Sequence, residues 1–261
     1  MFTTSGWLRL AQDLPKLTAR LNGGLNLMAE DFRTDVYSRG SCAFMGVKLK
    51  IGRGVLIPRE ETELLGHTAC GEAQVYESPK IIDMCAGCGN LACALAVHIP
   101  GAKMWAADAS PECVSLIRAN VEGLGLGDRV TVVESDLFES LRGLDLLAAA
   151  DLIVCNPPYI PSRRLNAQSR WLLESEPRKA FDGGPYGVDI LRRLVREAPV
   201  FLREDGSLMF EFGEGQHEIV RRLLESSGAY HSIRFVTNGA GVPRVAVAQK
   251  KRIPSGFLRE L

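Results

Sequence analysis

The sequence predicts an α/β fold: a doubly wound, mostly parallel sheet of seven strands that closes on an antiparallel hairpin, with a small helical and β-hairpin cap in front of it. Three observations predict it. From about residue 79, short apolar runs alternate with longer amphipathic ones, the order that parallel strands and crossover helices require. A Gly-rich turn follows the first of those strands. The last two strands are joined by "NGAGVP" with no helix between them, so one of the two runs against the rest of the sheet.

The elements follow in chain order. Residues 5–22 carry Trp7, Leu8, Leu10, Leu14, Leu17 and Leu21 at helical spacing, and "AFMGVKLKIGRGVLIP" reads as two short strands around a Gly-containing turn. These belong to a cap over residues 1–75, which the stretch "GEAQVYESP" separates from the main α/β domain over 76–261. "KIIDMC" is then a strand and "NLACALAVHI" a helix. "AKMWAAD" is a strand, followed by "SPECVSLIRANVEGLG", a helix with Ser110 at its N-cap and Pro111 at its first position. "RVTVVES" and "DLIVC" are strands, "GVDILRRLVREAPVFL" a helix, "GSLMFEF" a strand and "GQHEIVRRLLESSG" a helix. "HSIRFVT" and "RVAVAQK" form the closing hairpin.

Composition narrows the function. At 261 residues, 46% hydrophobic and 24% charged, the chain has the make-up of a soluble globular protein with a real core. A formal net charge of zero argues against nucleic acid or an anionic membrane as partner, and no apolar run approaches a membrane span. The N-terminus lacks the basic-then-apolar layout of a signal peptide. Seven cysteines, an odd number scattered through predicted helices and strands, read as reduced thiols of a cytoplasmic protein. Cys85 and Cys88 form a CxxC, but with no second pair and four scattered histidines the reading is a tight turn and no metal site.

"DMCAGCGNLA" carries the first chemistry. Gly87 and Gly89 turn the chain from a strand into a helix whose N-terminus offers free N–H groups, and residues 87–92 satisfy GxGxxA, a nucleotide-binding pattern. Asp108 ends the next strand, where a carboxylate can accept both hydroxyls of an adenosine ribose. Up to this point a nicotinamide dinucleotide and S-adenosylmethionine are both open. Three features favour S-adenosylmethionine: Asp83, a strand-end carboxylate that suits an ammonium and repels a pyrophosphate; Asp136 in "SDLFE", at a position for an adenine amino group; and the terminal hairpin, which a plain dinucleotide-binding sheet does not need.

"VCNPPYIPS" ends the fourth strand in two prolines, which cannot continue a sheet and make a stiff exit loop. Taken with "GVLIPREETELL", "DMCAGCGNLACALA", "ADASPE", "ESDLFE", "SEPRKAFDGGPYGVDILRRLV" and "LMFEFGEGQ", in that order and spacing from residue 42 to about 250, the chain resembles the HemK-like release-factor glutamine methyltransferases. The resemblance implies a class I methyltransferase fold, Rossmann-like, with S-adenosylmethionine as cofactor and S-adenosylhomocysteine or methylthioadenosine as product. It places Asp83, Gly87, Gly89, Asp108, Ala109, Asp136, Leu137, Phe138 and Asn156 against the cofactor, and Phe44, Arg59 and Tyr159 against the acceptor. Asn156, Pro157 and Tyr159 are the expected catalytic group. An amide nitrogen is a poor nucleophile, and two acceptors gripping its N–H groups, the Asn156 side chain and the Pro157 carbonyl, would aim its lone pair; the Tyr159 ring would stack on the acceptor or lie near the sulfonium.

Only some forty residues precede "CAFMG", fewer than the substrate-gripping helical domain of the resembled family. The leading expectation is therefore N-methylation of a small-molecule amide or amine acceptor. The first alternative is ring closure of S-adenosylmethionine alone, giving azetidine-2-carboxylate and methylthioadenosine, and the second is glutamine methylation in a release factor. A silent binding module would not keep Gly87, Gly89, Asp108 and NPPY together.

Overall fold

The computed structural model describes residues 36–165 and 176–252; the helix expected over residues 5–22 lies outside them. A hairpin comes first, β1 (Ser41–Phe44) and β2 (Val47–Lys50), followed by α1 (Glu63–Ala73). Then come β3 (Lys80–Met84), α2 (Asn90–His98), β4 (Lys103–Asp108), α3 (Pro111–Gly123), β5 (Val130–Glu134) and β6 (Ala150–Cys155). α4 (Asp189–Phe201), β7 (Leu202–Glu211), α5 (His217–Ser226), β8 (Tyr230–Thr237) and β9 (Pro243–Lys250) complete the described chain. The sequence reading misses α1, whose segment holds Gly66 and Gly71 and little apolar periodicity. Gly66 leaves the room that the Met45 thioether fills, and a Cβ on it would oblige that side chain to move.

The seven-stranded sheet has the order β5-β4-β3-β6-β7-β9-β8. β3 through β7 pair in parallel, while β9 runs antiparallel to both β7 and β8, as the helix-free "NGAGVP" connection requires. The chain winds outward from β3 through β4 to β5, then returns to β6 on the other side of β3. Ligands of open α/β sheets bind at such a reversal, beyond the carboxyl ends of the strands. Both motifs lie there: the Gly-rich turn leaves β3 and NPPY leaves β6.

Alternation along the strands divides the core into two layers. Ile81, Met104, Ala106, Leu152 and Val154 face a cluster shared with β1, β2, α1, α2 and α3. Ile82, Met84, Ala107, Ile153 and Cys155 face the other, with Phe138, Phe201 and Phe210. Asn120 of α3 ties the hairpin to the sheet by imitating a strand neighbour. Its Oδ1 accepts from Lys50 N (2.7 Å) and its Nδ2 donates to Lys50 O (3.1 Å) and to Cys88 O (2.9 Å), which also steadies the Gly-rich turn. α4 tolerates Pro199 near its end for a stated reason: the Val195 carbonyl, which a residue-199 N–H would have engaged, accepts the Tyr230 hydroxyl at 2.9 Å.

Candidate functional site

Two concavities meet at the sheet reversal, and Asn156 stands in the wall between them. One is a narrow cleft beside the Gly-rich turn, lined by Asp83, Cys85, Gly87, Asn90 and Thr62 among others. The other is a cavity of about 430 Å³ lined by Pro157, Tyr159, Phe181, Glu211, Glu214 and Arg244 among others. Leu56, Arg59 and Asn156 line both.

The cleft is made mostly of backbone. Gly87 takes φ +59°, and a Cβ there would meet nothing within 4 Å, so the space beside it is open to a ligand; Gly89, at φ +82°, turns the chain into α2. Asp83 is fully buried. Its Oδ2 accepts from the Ala92 N–H in the first turn of α2 at 2.9 Å, while its Oδ1 has no partner among the described residues. Burial pushes the Asp83 carboxyl up to about 8; the Ala92 N–H works against that rise and the charge of Asp108 adds to it. A buried carboxyl with one oxygen unpartnered can take a cationic donor, which would favour its ionised form. Asp108 takes one backbone donor on each oxygen, Gly87 N on Oδ2 and Ser110 N on Oδ1, both at 2.9 Å. The Cys113 side chain and the Ala109 N–H act on the same carboxyl. Burial raises the Asp108 pKa as well.

Cys85 of the cleft lining stands at a positive φ of 56°, a local strain that clusters at ligand sites; Leu137, at φ 48°, is buried in the core cluster of Phe138 and does not line the cleft. Ala109 is exposed. Asp136 is exposed and its Oδ1 accepts from Arg193 at 2.9 Å. Two expectations are corrected. Phe138 is fully buried and stacks on Phe201 with ring centroids 4.7 Å apart, so its side chain belongs to the core and only its backbone is available to a cofactor. Phe44 is 1% exposed, packs into the cluster under β1 and β2, and lines neither concavity.

The larger cavity is made of side chains drawn from distant segments. Asn156 Nδ2 donates to Thr62 Oγ1 (2.9 Å), and Thr62 Oγ1 donates to Glu211 Oε2 (2.8 Å). The Tyr159 hydroxyl donates to Glu211 Oε1 (2.8 Å), and Arg244 Nη2 reaches both that hydroxyl (3.2 Å) and Glu211 Oε1 (3.4 Å). Tyr159 therefore stands on the side of the larger cavity, outside the cleft lining. Arg59 pairs with Glu176, a buried carboxylate that also accepts Ile57 N at 3.0 Å, joining the "IPREETE" and "SEPRKA" segments. The NPPY loop is clamped from behind. Ile160 N donates to Phe181 O (2.8 Å), Gly183 N to Ile160 O (2.9 Å), and Gln216 Nε2 to Tyr159 O (3.0 Å). Gly187 sits against the loop so closely that a Cβ would lie 2.3 Å from Tyr159 O.

Sequence reasoning misses Thr62, Glu176, Glu211 and Arg244 as site residues. The first three stand inside motif segments that it singled out, "IPREETE", "SEPRKA" and "LMFEFGEGQ", and that was the available signal. Among the described residues no group of three or more His, Cys, Asp and Glu is placed to hold a metal ion. Cys88 is buried, and burial pushes its thiol well up. No helix of the described residues is long and apolar enough to cross a membrane.

The Methyltransferase small domain family matches residues 64–184. A release factor glutamine methyltransferase of Moorella thermoacetica is 37% identical over 215 residues, which span 82% of this chain and 74% of that protein. The chain belongs to the release factor glutamine methyltransferase family. A second member, from Gloeobacter violaceus, is 34% identical over 211 residues, 81% of this chain and 72% of its own length. The fold also matches a ribosomal protein L11 methylase of Lactobacillus delbrueckii subsp. bulgaricus, with TM-score 0.53 at 19% identity over 77% of this chain and 85% of that one. M. jannaschii TYW2 in complex with AdoMet matches with TM-score 0.54 at 16% identity over 82% and 86%. As a member of its family, the protein is an S-adenosylmethionine-dependent methyltransferase.

Proposed function

We propose that this protein methylates the side-chain amide nitrogen of a glutamine in a protein release factor. Relatives at 34% and 37% identity carry that name, which reverses the order expected from the short N-terminal segment: glutamine methylation moves from last place to first, and neither a small-molecule acceptor nor ring closure of the cofactor gains support. A cytoplasmic location, in keeping with the seven free thiols, belongs to the same proposal.

The observation that carries the reading is the placement of Asn156 in the wall shared by the cleft and the cavity. When bound, S-adenosylmethionine supplies a sulfonium methyl that a nucleophile can attack. The protein must present a nitrogen whose lone pair is delocalised into its carbonyl. Because Asn156 Nδ2 is committed to Thr62, the Asn156 carbonyl oxygen is left as an acceptor. Pro157 lines the same cavity and has a carbonyl but no competing N–H. Two acceptors on the N–H groups of the incoming amide hold its plane, aim the lone pair and stabilise the positive charge that develops on nitrogen. That charge makes the nitrogen proton acidic, so it can leave to water without a strong base.

The test is incubation of the purified protein with methyl-labelled S-adenosylmethionine and a bacterial release factor, followed by peptide mass spectrometry. One added methyl on a glutamine, absent when that glutamine is replaced by alanine and absent with Asn156→Ala enzyme, is the expected result. Label transferred to free glutamine and not to the release factor would overturn the choice of acceptor.

A further inference from the structure

We propose that Glu211 is a positioning residue that sets, through Thr62, which way the Asn156 amide faces. The inference rests on the proposed amide methylation and deepens it. Nothing in an isolated asparagine decides whether its oxygen or its NH2 group faces the acceptor cavity, since the two ends are nearly the same size. The wrong choice would set NH2 against NH2 and repel the substrate.

The surroundings of Asn156 impose the choice by hydrogen-bond polarity. An ionised carboxylate only accepts. Glu211 is 1% exposed, so water does not complete its shell, and it receives Thr62 on Oε2 and Tyr159 on Oε1, each at 2.8 Å. Thr62, also 1% exposed, has a single O–H to give, and gives it to Glu211. What it presents to Asn156 is therefore a lone pair, and only the Nδ2 end can answer it, at 2.9 Å. The order of donation runs one way from Asn156 to Glu211, and the Asn156 oxygen is what remains for the acceptor. Burial, with the nearby Glu61 charge, raises the pKa of Glu211, and the two hydroxyls and the Arg244 guanidinium act against that rise. The same carboxylate holds the Tyr159 hydroxyl, so both side chains of the NPPY loop are indexed to one buried group. The three residues lie on three separate segments, 94 and 149 positions apart along the relay, so local packing of the NPPY loop does not account for the arrangement.

The proposal is tested by steady-state methylation of a release factor with cofactor affinity and thermal stability measured on each variant. Thr62→Val keeps the shape of the side chain and removes the lone pair; kcat should fall about 100-fold, the scale of losing one preorganised polar group, with cofactor Kd unchanged. Thr62→Ser restores the hydroxyl and should recover most of that loss, which a packing role for the threonine methyl would not allow. Glu211→Gln offers an NH2 that can donate to Thr62 and reverse the relay, so kcat should fall by a similar factor. In the Thr62→Val background the same change should add little, because the two act on one orientation. Should Thr62→Val fail to fold, the isosteric Glu211→Gln carries the test alone, through a fall in kcat at unchanged cofactor Kd. Wild-type turnover in both Thr62→Val and Glu211→Gln while Asn156→Ala is inactive would overturn the relay and leave the amide-methylation reading standing. Wild-type turnover in all three would overturn both.

Discussion

The two sides of Asn156 are built on different principles. The floor of the narrow cleft comes from one contiguous stretch, residues 83–92, where a left-handed glycine and the first turn of α2 stand beside the buried Asp83 carboxyl, and only its rim is borrowed from the segment before α1 and from Asn156. The acceptor cavity has no such unit. Its walls are side chains from the segment before α1, the loop after β6, the end of β7 and the start of β9, joined by hydrogen bonds that span most of the chain. The cleft therefore leans on few long-range contacts, chiefly those of Asp108 and Asn120 with the Gly-rich turn, while the larger cavity is assembled from many. A changed substrate calls for alterations on the second side alone.

The sharpest break in the comparison is Asn156→Ala. If Asn156 serves the acceptor more than the cofactor, kcat should drop about 1,000-fold, in line with removal of a preorganised transition-state contact, while cofactor affinity measured by calorimetry stays within a few-fold. Equal losses in both would place Asn156 on the cofactor side instead.

Asp83→Asn makes the opposite cut. Removing the charge that answers the ammonium should weaken cofactor binding about 100-fold, the scale of truncating one partner of a buried charge pair, with the acceptor side untouched. The same group gives a pH signature in the free protein. Its carboxyl titrates near 8 when folded and at its ordinary 3.8 when unfolded. Between those values the native state binds more protons than the unfolded one, so stability falls as pH rises from about 4 to about 8. Thermal melts of the cofactor-free protein should show that slope, and Asp83→Asn should flatten it. A slope that survives the substitution would mean another group is responsible. Cofactor binding should release a proton below pH 8, visible as a buffer-dependent heat.

Gly187→Ala reaches the acceptor side from behind. The new Cβ must enter a backbone at φ +73° and stand 2.3 Å from the Tyr159 carbonyl, a backbone atom that cannot swing aside as a side chain can. A loss of about 2–4 kcal/mol in stability is expected from urea unfolding, among the larger effects of a single substitution. Protein that remains folded should still bind cofactor yet turn over poorly, since the NPPY loop is what the clash displaces.

How much of this was legible in the sequence follows the same division. The cofactor side announces itself because its chemistry is local: strand, glycines and helix start lie within ten residues, and Asp83, Gly87 and Asp108 can be picked out by position alone. The alternation of strands and helices likewise yields the sheet and its terminal hairpin. The acceptor side stays hidden because Thr62 and Glu211 matter only through contacts made after folding, although both stand in motifs that could be quoted. Phe44 and Phe138 fail for a related reason. An aromatic residue at the edge of an apolar run can face a site or fill a core, and only the packed neighbours decide; here Phe201 decides for Phe138. α1 escapes because its buried face is made of Gly66, Ala69 and Ala73 beside one leucine, residues small enough to pack closely yet too weak in hydrophobic contrast to mark a helix.

Asp136 carries the smallest expected effect and decides how far the cofactor side extends. Its position after β5 points to the adenine amino group, but in the structure its carboxylate is held by Arg193 on an exposed surface. An exposed pair of this kind contributes little to stability, so Asp136→Ala should leave the urea midpoint nearly unchanged. One hydrogen bond to the adenine is worth about 1 kcal/mol, so cofactor binding should weaken about fivefold. Arg193→Ala provides the control, because freeing the carboxylate from its partner should leave affinity equal or improved. If Asp136→Ala binds cofactor as tightly as wild type, the adenine edge is held by backbone alone. The cofactor side would then be a backbone site from the ribose outward, and the contrast with the side-chain-built acceptor cavity would be wider still.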